Sequence, residues 1–131
     1  MIVDSSALLA IILAEPEEEA FSLAIYAAAR PQMSAASYLE VALKLDSGAT
    51  GLDPVLDAAL ANLDIELVPV SIEQGRLARE ANVRFGRESR AKLNFGDCLA
   101  YALAKATRSP LLFKGNDFMH TDIVPALPAG V

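Results

Sequence analysis

Residues 93–104 have the sequence Leu-Asn-Phe-Gly-Asp-Cys-Leu-Ala-Tyr-Ala-Leu-Ala, and the rest of the chain is organised around them. After Asp97 the segment is apolar or nearly so on every side, which is typical of a helix buried in a core. Asn94 is a good N-cap, and Asp97 falls at the third helical position, where a negative charge interacts favourably with the helix dipole. Helix capping is therefore a sufficient explanation of Asp97 unless other carboxylates converge on the same place.

Composition and charge limit the class of protein. A chain of 131 residues suits one compact domain, expected to span 1–131, and a hydrophobic content of 53% argues against disorder. The single cysteine, Cys98, excludes an internal disulfide and is expected to be a small buried hydrophobe. A net charge of −6 is opposite in sign to that of a protein that coats nucleic acid, although carboxylates that hold cations contribute to the total.

The amino-terminal segment argues for a soluble protein. Residues 1–6 lack the basic region of a secretory signal, and the apolar run at 7–14 is far too short to span a bilayer. We expect a cytoplasmic protein with no membrane partner.

Strand patterns alternate with helix patterns along the chain. The predicted strands are 1–3, 32–33, 65–70 and 111–113, with 123–124 as the candidate for a fifth strand at an edge. The predicted helices are 7–13, 16–29, 55–63, 71–85 and 94–104, together with a helix that Ser34 or Ser37 starts and that runs through 38–45 to an end near 48. Ser71 with Gln74 is predicted to form a capping box. This alternation predicts an α/β fold of three α/β/α layers, in which a mostly parallel sheet of four to five strands is flanked by helices.

Four acids fall at corresponding places in this pattern. Asp4 ends the first strand, and Asp117 follows the fourth. Glu40 lies in the opening turns of the helix after the second strand, and Asp97 starts the helix before the fourth. Crossover helices run antiparallel to the strands, so their N-termini lie at the carboxyl edge of the sheet. All four acids therefore belong to one rim, and Asp4 and Asp117 flank the switch point in strand order if the first and fourth strands are neighbours.

Each acid also has a local explanation. Asp4 can cap the following helix, Glu40 can pair with Lys44 one turn later, and Asp117 can be a turn aspartate. Glu40 fits its local explanation worst, because it interrupts an apolar run in which a carboxylate is costly unless it is paired, neutralised or bound to a metal.

Four carboxylates in one pocket would repel one another, and divalent cations relieve that repulsion. An all-oxygen set selects Mg²⁺ or Mn²⁺ over zinc. The only histidine, His120, is expected in a solvated loop, so zinc has no convincing ligand set. The sequence also lacks a nucleophile elbow, a phosphate-binding loop and a dinucleotide fingerprint.

Four segments resemble the motifs of a known family, in the expected order and across nearly the whole chain. They are Met-Ile-Val-Asp-Ser-Ser-Ala-Leu-Leu-Ala-Ile (1–11), Ser-Ala-Ala-Ser-Tyr-Leu-Glu (34–40), Leu-Asn-Phe-Gly-Asp-Cys-Leu-Ala-Tyr-Ala-Leu-Ala (93–104) and Leu-Leu-Phe-Lys-Gly-Asn-Asp-Phe (111–118). The family is that of the PIN-domain ribonucleases, specifically the VapC-type toxins of bacterial toxin–antitoxin pairs.

The resemblance implies that the acidic quartet is Asp4, Glu40, Asp97 and Asp117. It further implies cleavage of RNA with Mg²⁺ or Mn²⁺, leaving 5′-phosphate and 3′-hydroxyl ends. A cognate VapB-type antitoxin would inhibit the enzyme by laying its C-terminal segment across the active groove, and the toxin would form a homodimer within a higher toxin–antitoxin complex.

Two positions depart from the family pattern. Ser5 stands where threonine is frequent, and Asn116 stands where many relatives carry a second acid, which singles out Asp117. Asn116 and Ser6 are expected to orient the metal ligands. Asp122 is a reserve candidate for the metal site, with an Asx turn as its local explanation.

An acidic ribonuclease needs a local basic surface to dock its substrate. Basic residues outnumber acids in the stretch 76–92, and the candidate RNA contacts are Arg87, Arg90, Lys92 and, beside Asp117, Lys114. A solvated helix face is an equally good explanation of this pattern.

Two other functions stay open at this point. A receiver-like regulatory module also carries an acidic pocket, but it needs a phosphoacceptor aspartate after the third strand, where this sequence has Val-Pro-Val-Ser (68–71). A catalytically silent PIN-like domain that only binds a partner is the second alternative, and the four intact acids argue against it.

Overall fold

The computed structural model describes residues 1–46, 48 and 51–128 of the chain. Within these residues, four short strands form one sheet: β1 (Ile2–Val3), β2 (Gln32–Ser34), β3 (Glu66–Val68) and β4 (Leu111–Leu112). Every pairing is parallel, and the strand order is β3-β2-β1-β4. The predicted parallel sheet is confirmed, and β1 and β4 are neighbours.

The expected edge strand at 123–124 does not form. The chain makes one parallel bridge between Leu111 and Pro125, through hydrogen bonds from Leu111 N to Val124 O (2.9 Å) and from Ala126 N to Leu111 O (2.8 Å). Alternate residues of a strand bond to opposite neighbours, and the carbonyl of Leu112 already accepts from Asp4 N on the β1 side (2.9 Å). In the two-residue β4, only the backbone of Leu111 points its hydrogen-bonding groups toward residues 124–126, so the pairing is limited to one bridge.

Six helices and one 3₁₀ helix occur in the described ranges. They are α1 (Ser5–Ile12), α2 (Glu18–Ala27), α3 (Ala35–Leu45), α4 (Val55–Asn62), α5 (Ile72–Phe85), α6 (Phe95–Thr107) and the 3₁₀ helix Asp117–His120. The sequence predicted all six α-helices, and of the two serines expected to start α3 it is Ser34 that caps the helix, by accepting from Ala36 N (3.2 Å). Residues 47, 49, 50 and 129–131, which the predicted domain also covers, lie outside the described residues.

The predicted capping box of α5 is only half present. Ser71 Oγ accepts from Gln74 N (3.1 Å), but the side-chain amide of Gln74 donates to Pro69 O (3.3 Å) instead of returning to the backbone of Ser71. Gln74 is buried, so its amide bonds to the nearby carbonyl of the chain leaving β3.

Two hydrophobic cores cover the two faces of the sheet. Val3 and Leu112 point into a core shared with α1 to α4, whereas Ile2 and Leu111 point into a core shared with α5 and α6. Successive residues of a strand face opposite sides, so two-residue strands supply both cores. The predicted three-layer α/β/α arrangement is confirmed, and α6 is buried on nearly all sides at Ala100, Ala102 and Leu103.

The sheet order reverses between β1 and β4. The chain proceeds outward from β1 to β2 to β3 and then crosses back to place β4 on the other side of β1. The carboxyl ends of β1 and β4 therefore flank the switch point, which is where open α/β sheets bind ligands. No helix in the described ranges has the length and apolarity needed to cross a membrane.

Candidate active site

Asp4 lies at the end of β1 and caps α1. Its Oδ2 accepts hydrogen bonds from Ser6 N (3.1 Å) and from Ser6 Oγ (2.6 Å). The side chain is buried, and Oδ1 has no hydrogen-bond partner among the described residues. Burial raises the pKa of Asp4 above its ordinary value, and the bonds from Ser6 offset only part of that effect. Helix capping thus explains one carboxylate oxygen and leaves the other unexplained.

Ser6 connects Asp4 to the opposite end of the chain. Its hydroxyl donates to Asp4 and accepts from Lys114 N (3.0 Å), in the loop that follows β4. One side chain thereby fixes the rotamer of Asp4 and holds the β4 loop against α1.

Asp97 and Asn94 form a complete capping box at the start of α6. Asn94 Oδ1 accepts from Asp97 N (2.9 Å), and Asp97 Oδ2 accepts from Asn94 N (3.0 Å). Burial nevertheless raises the pKa of Asp97 to about 6, with further contributions from the charges of Asp4 and Asp117. The capping hydrogen bond alone would lower the pKa of Asp97, so burial and the charges of Asp4 and Asp117 outweigh it.

Glu40 projects from α3 toward the first turn of α6. Burial raises the pKa of Glu40, and the charges of Asp4 and Asp97 raise it further; a hydrogen bond from Ser5 and the charge of Lys44 act in the opposite direction. The Glu40 carboxylate lies directly against Gly96, where any Cβ would overlap it. Gly96 lets α6 approach α3 closely enough for Glu40 to reach Asp97.

Asp117 is the exposed member of the group. It begins the 3₁₀ helix after β4, and Asn116 precedes it at the N-cap position without a side-chain cap bond. The next residue, Phe118, is buried and packs against Phe113 with ring centroids 5.2 Å apart. This packing fixes the turn, and the charge of Asp117 raises the pKa of Asp97.

The charges of Asp4 and Asp117 act on Asp97, and those of Asp4 and Asp97 act on Glu40, so the four predicted acids lie near one another at one rim of the sheet, as the strand and helix directions require. Within the described residues, no three His, Cys, Asp or Glu side chains are arranged, as they stand, to hold one metal ion together. The chemistry of the group nevertheless fits a hard divalent cation. The donors are all oxygens, Asp4 Oδ1 is buried without a partner, and burial penalises the charged forms of three carboxylates.

Asp122, the reserve candidate, lies elsewhere. It accepts from Tyr101 Oη (2.7 Å) and Lys105 Nζ (3.0 Å), and Arg84 Nη1 lies 3.5 Å from its Oδ2. Lys105 is two turns beyond Asp97, or about 12 Å along α6. Asp122 therefore belongs to a separate charged cluster that ties α5 and α6 to the carboxyl-terminal segment.

Lys114, a predicted RNA contact, forms ion pairs within the chain. Its ammonium group pairs with Glu15 and lies 3.2 Å from Glu17 Oε2, in the turn between α1 and α2. Hydrogen bonds to Glu15 and Glu17 raise the pKa of Lys114, and the two carboxylates neutralise its positive charge. The other predicted RNA contacts, Arg87, Arg90 and Lys92, are exposed on the segment that joins α5 to α6.

Sequence reasoning missed two residues of the site. Lys44 entered it only as a partner for Glu40, yet its charge also acts on the buried Asp4. Gly96 was not singled out, although glycine near a helix start costs up to about 1 kcal/mol relative to alanine and so signals a close approach.

The fold and its acidic rim define a PIN domain. The family model of the PIN domain matches residues 1–124, and the chain belongs to that family. Among curated proteins it is 50% identical over 133 residues to ribonuclease VapC28 of Mycobacterium tuberculosis, an alignment that covers 97% of this chain and 98% of that one. The resemblance to VapC-type PIN domains found in the sequence is confirmed.

Solved structures agree with this fold. The crystal structure of Mycobacterium tuberculosis VapC20, described as a sarcin-ricin loop cleaving toxin, superposes with a TM-score of 0.74 at 16% identity, covering 97% of this chain and 98% of that one. A toxin–antitoxin complex from Klebsiella pneumoniae superposes with a TM-score of 0.71 at 15% identity, covering 96% and 97%. At such identities the likeness supports the fold.

Proposed function

We propose that this chain is a VapC-type toxin, an endoribonuclease that hydrolyses RNA phosphodiester bonds with a divalent cation held at the acidic rim. The observation that carries the proposal is the buried Oδ1 of Asp4, which has no hydrogen-bond partner in the described part of the chain and lies beside carboxylates whose pKa values are raised. Such an arrangement destabilises the protein unless a positive charge compensates it. Half of the residues are shared with a named ribonuclease over almost the whole chain, which supports the same activity.

Asp4 and Asp97 would be the principal ligands of Mg²⁺ or Mn²⁺, and Glu40 and Asp117 would complete the site or hold a second ion. When bound, the cation supplies activation of a water molecule and neutralisation of the charge that develops on the scissile phosphate. Burial raises the pKa values of Asp4, Glu40 and Asp97, and a bound cation would favour the ionised forms of these carboxylates. The expected products carry 5′-phosphate and 3′-hydroxyl ends.

The supporting residues have separable tasks. Ser6 holds Asp4 Oδ2 and leaves Oδ1 for the cation. Asn116 precedes Asp117 at the N-cap position of the 3₁₀ helix and would orient the metal ligands. Arg87, Arg90 and Lys92 offer the exposed positive charge that an RNA backbone needs to approach an acidic protein.

The partner of the toxin follows from the same family. One structural neighbour is a toxin–antitoxin complex, which supports inhibition of this chain by a cognate VapB-type antitoxin. We expect the antitoxin's C-terminal segment to lie across the acidic groove of a cytoplasmic homodimer.

The deciding experiment is cleavage of labelled RNA by antitoxin-free protein in Mg²⁺, Mn²⁺ or excess chelator. The Asp97→Asn variant should lose more than the roughly 10–100-fold that removal of a supporting group costs a metal site. Asp64→Asn is the matched control, because Asp64 is an exposed acid before β3, at the opposite edge of the sheet, with a positive φ of 53° that asparagine tolerates. Equal cleavage by Asp97→Asn, or full cleavage in chelator, would contradict the mechanism. Cleavage by none of the proteins would favour a silent partner-binding domain.

A further inference from the structure

A cavity of about 440 Å³ opens between α5 and α6, on the side of α6 away from the acids. Gly75 and Ala78 of α5 line one side of it, Phe95, Cys98 and Leu99 of α6 line the other, and Arg79 also borders it. Small-molecule sites typically have volumes of roughly 300–1,000 Å³, so the space suits a planar heterocycle.

Phe95 is the unusual member of this lining. It is 84% exposed, although a phenyl ring is ordinarily buried when the fold offers an apolar surface. It occupies the first position of α6, between the capping residue Asn94 and Gly96. Neither core explains an exposed aromatic residue at this place, one turn from the acidic group.

The helix geometry links Phe95 to the acids. Successive helical residues are about 100° apart, so Phe95 and Asp97 project from the same turn on sides about 200° apart. Asp97 faces the acidic rim, whereas Phe95 faces α5. A single strand whose phosphate lies at the acids would reach Phe95 by passing over the N-terminal end of α6, so the nucleotide at Phe95 is not the immediate neighbour of that phosphate.

The charge around the cavity favours an anionic occupant. Arg79 borders the cavity itself, and Arg76 lies one turn earlier on the exposed face of α5. The exposed basic segment 87–92 leads directly into Asn94 and Phe95. This is a concentration of positive charge on a protein whose net charge is −6.

We propose that this cavity binds an unpaired nucleobase of the RNA strand, one that lies beyond the nucleotides next to the scissile phosphate and stacks on Phe95 while Arg79 contacts the backbone. Aromatic stacking of splayed bases beside a positive surface is how proteins bind single-stranded RNA. The proposal rests on the proposed ribonuclease function and adds a substrate-binding residue outside the acidic quartet.

The first test measures binding of fluorescein-labelled oligoadenylate and oligouridylate in excess chelator, where cleavage is blocked. Phe95→Ala should weaken binding of both by about 5- to 100-fold, because stacking tolerates any base, and should leave the salt dependence unchanged. Tyr26→Ala is the matched control, since Tyr26 is an aromatic residue 65% exposed on α2. In Mg²⁺ the same Phe95 variant should raise KM and change kcat little.

Two further variants separate stacking from a general loss of structure. The chain contains no Trp, so Phe95→Trp introduces a single indole whose fluorescence should be quenched by bound RNA. Gly75 lines the cavity, and a Cβ added there meets nothing within 4 Å. Gly75→Leu should therefore fill the cavity without a steric clash. Leucine also favours the helix over glycine, so this variant should bind RNA weakly while remaining at least as stable as the wild type. Gly75→Ala should bind as the wild type does.

The outcomes are distinct. Wild-type affinity in Phe95→Ala and Gly75→Leu, or an unquenched indole, would overturn the stacking site while Asp97-dependent cleavage leaves the proposed function standing. A change of oligomeric state in Phe95→Ala, measured by light scattering, would assign the surface to a protein partner and also overturn it. Wild-type protein that neither binds nor cleaves RNA would overturn both proposals.

Discussion

Replacing Asp97 by asparagine should make the metal-free protein more stable while abolishing its activity. The substitution removes one negative charge but keeps a side-chain oxygen that can accept the hydrogen bond from Asn94 N, now 3.0 Å long. The capping geometry of α6 is thereby preserved. The substitution removes an ionised carboxylate whose charged form is disfavoured. The main cause is partial burial of Asp97, and the second is repulsion by the charges of Asp4 and Asp117.

The size of the effect follows from the pKa of Asp97. A rise from 3.8 to about 6 corresponds to about 3 kcal/mol of destabilisation at neutral pH. Asp97 keeps some contact with solvent, so screening reduces this to about 1–2 kcal/mol. Loss of the favourable charge–dipole interaction returns about 0.5 kcal/mol. The net gain of about 1 kcal/mol raises the Tm of a 131-residue chain by about 4 °C.

The pH dependence gives the sharper test. Between about pH 4 and 6 the folded state holds a proton on Asp97 that the unfolded state has released, so this group lowers wild-type stability as pH rises through that window. The Tm difference between Asp97→Asn and the wild type should therefore be small at pH 4, grow up to about pH 6 and stay constant above it. Thermal unfolding followed by circular dichroism in chelator measures this. A Tm difference between the two proteins that does not change with pH would refute the reasoning, and so would a variant less stable than the wild type at pH 7.

Three other variants probe the supporting contacts. Ser6→Ala removes the bonds to Asp4 Oδ2 and Lys114 N, and urea unfolding should show a loss of about 1–3 kcal/mol, whereas a loss under 0.5 kcal/mol would contradict the linking role. Gly96→Ala places a methyl group where the Glu40 carboxylate lies, so cleavage should fall sharply while circular dichroism keeps the helical signal; wild-type turnover would refute the contact. Lys114→Met should change stability little and leave the salt dependence of RNA binding unchanged, because its charge is already paired with Glu15 and Glu17. Arg87→Ala should lower the slope of that salt dependence by about 0.7, and the reverse pattern would support an RNA contact by Lys114 instead.

Features set by local chemistry were predictable from the sequence. The pairing of Asn94 with Asp97 spans three residues, and the structure shows both of its hydrogen bonds. The convergence of the acids was also predictable, because the direction of parallel strands and their crossover helices places them at one rim. Glu40 was recognisable since a carboxylate in an apolar run needs a compensating partner.

Features set by distant contacts were not predictable. Lys114 lies beside Asp117 in sequence, but its ammonium pairs with Glu15 and Glu17, about a hundred residues earlier. Asp122 has an ordinary turn sequence, and only the packing of α6 shows that Tyr101 and Lys105 bind it. The metal-binding role of the acids stays a prediction, because no ligand set in the described residues is closed around an ion.

The hydrogen bond between Ser6 and the backbone of residue 114 has a consequence for biosynthesis. It joins positions 108 residues apart, and Asp117 lies beyond the second of them. A ribosome makes the chain from the amino terminus, so Asp4, Glu40 and even Asp97 emerge before β4 can pair with β1. The acidic rim therefore has no complete form until nearly the whole chain has been made. For a member of a toxin family, this order of assembly means that the four acids come together only after the last strand has been made.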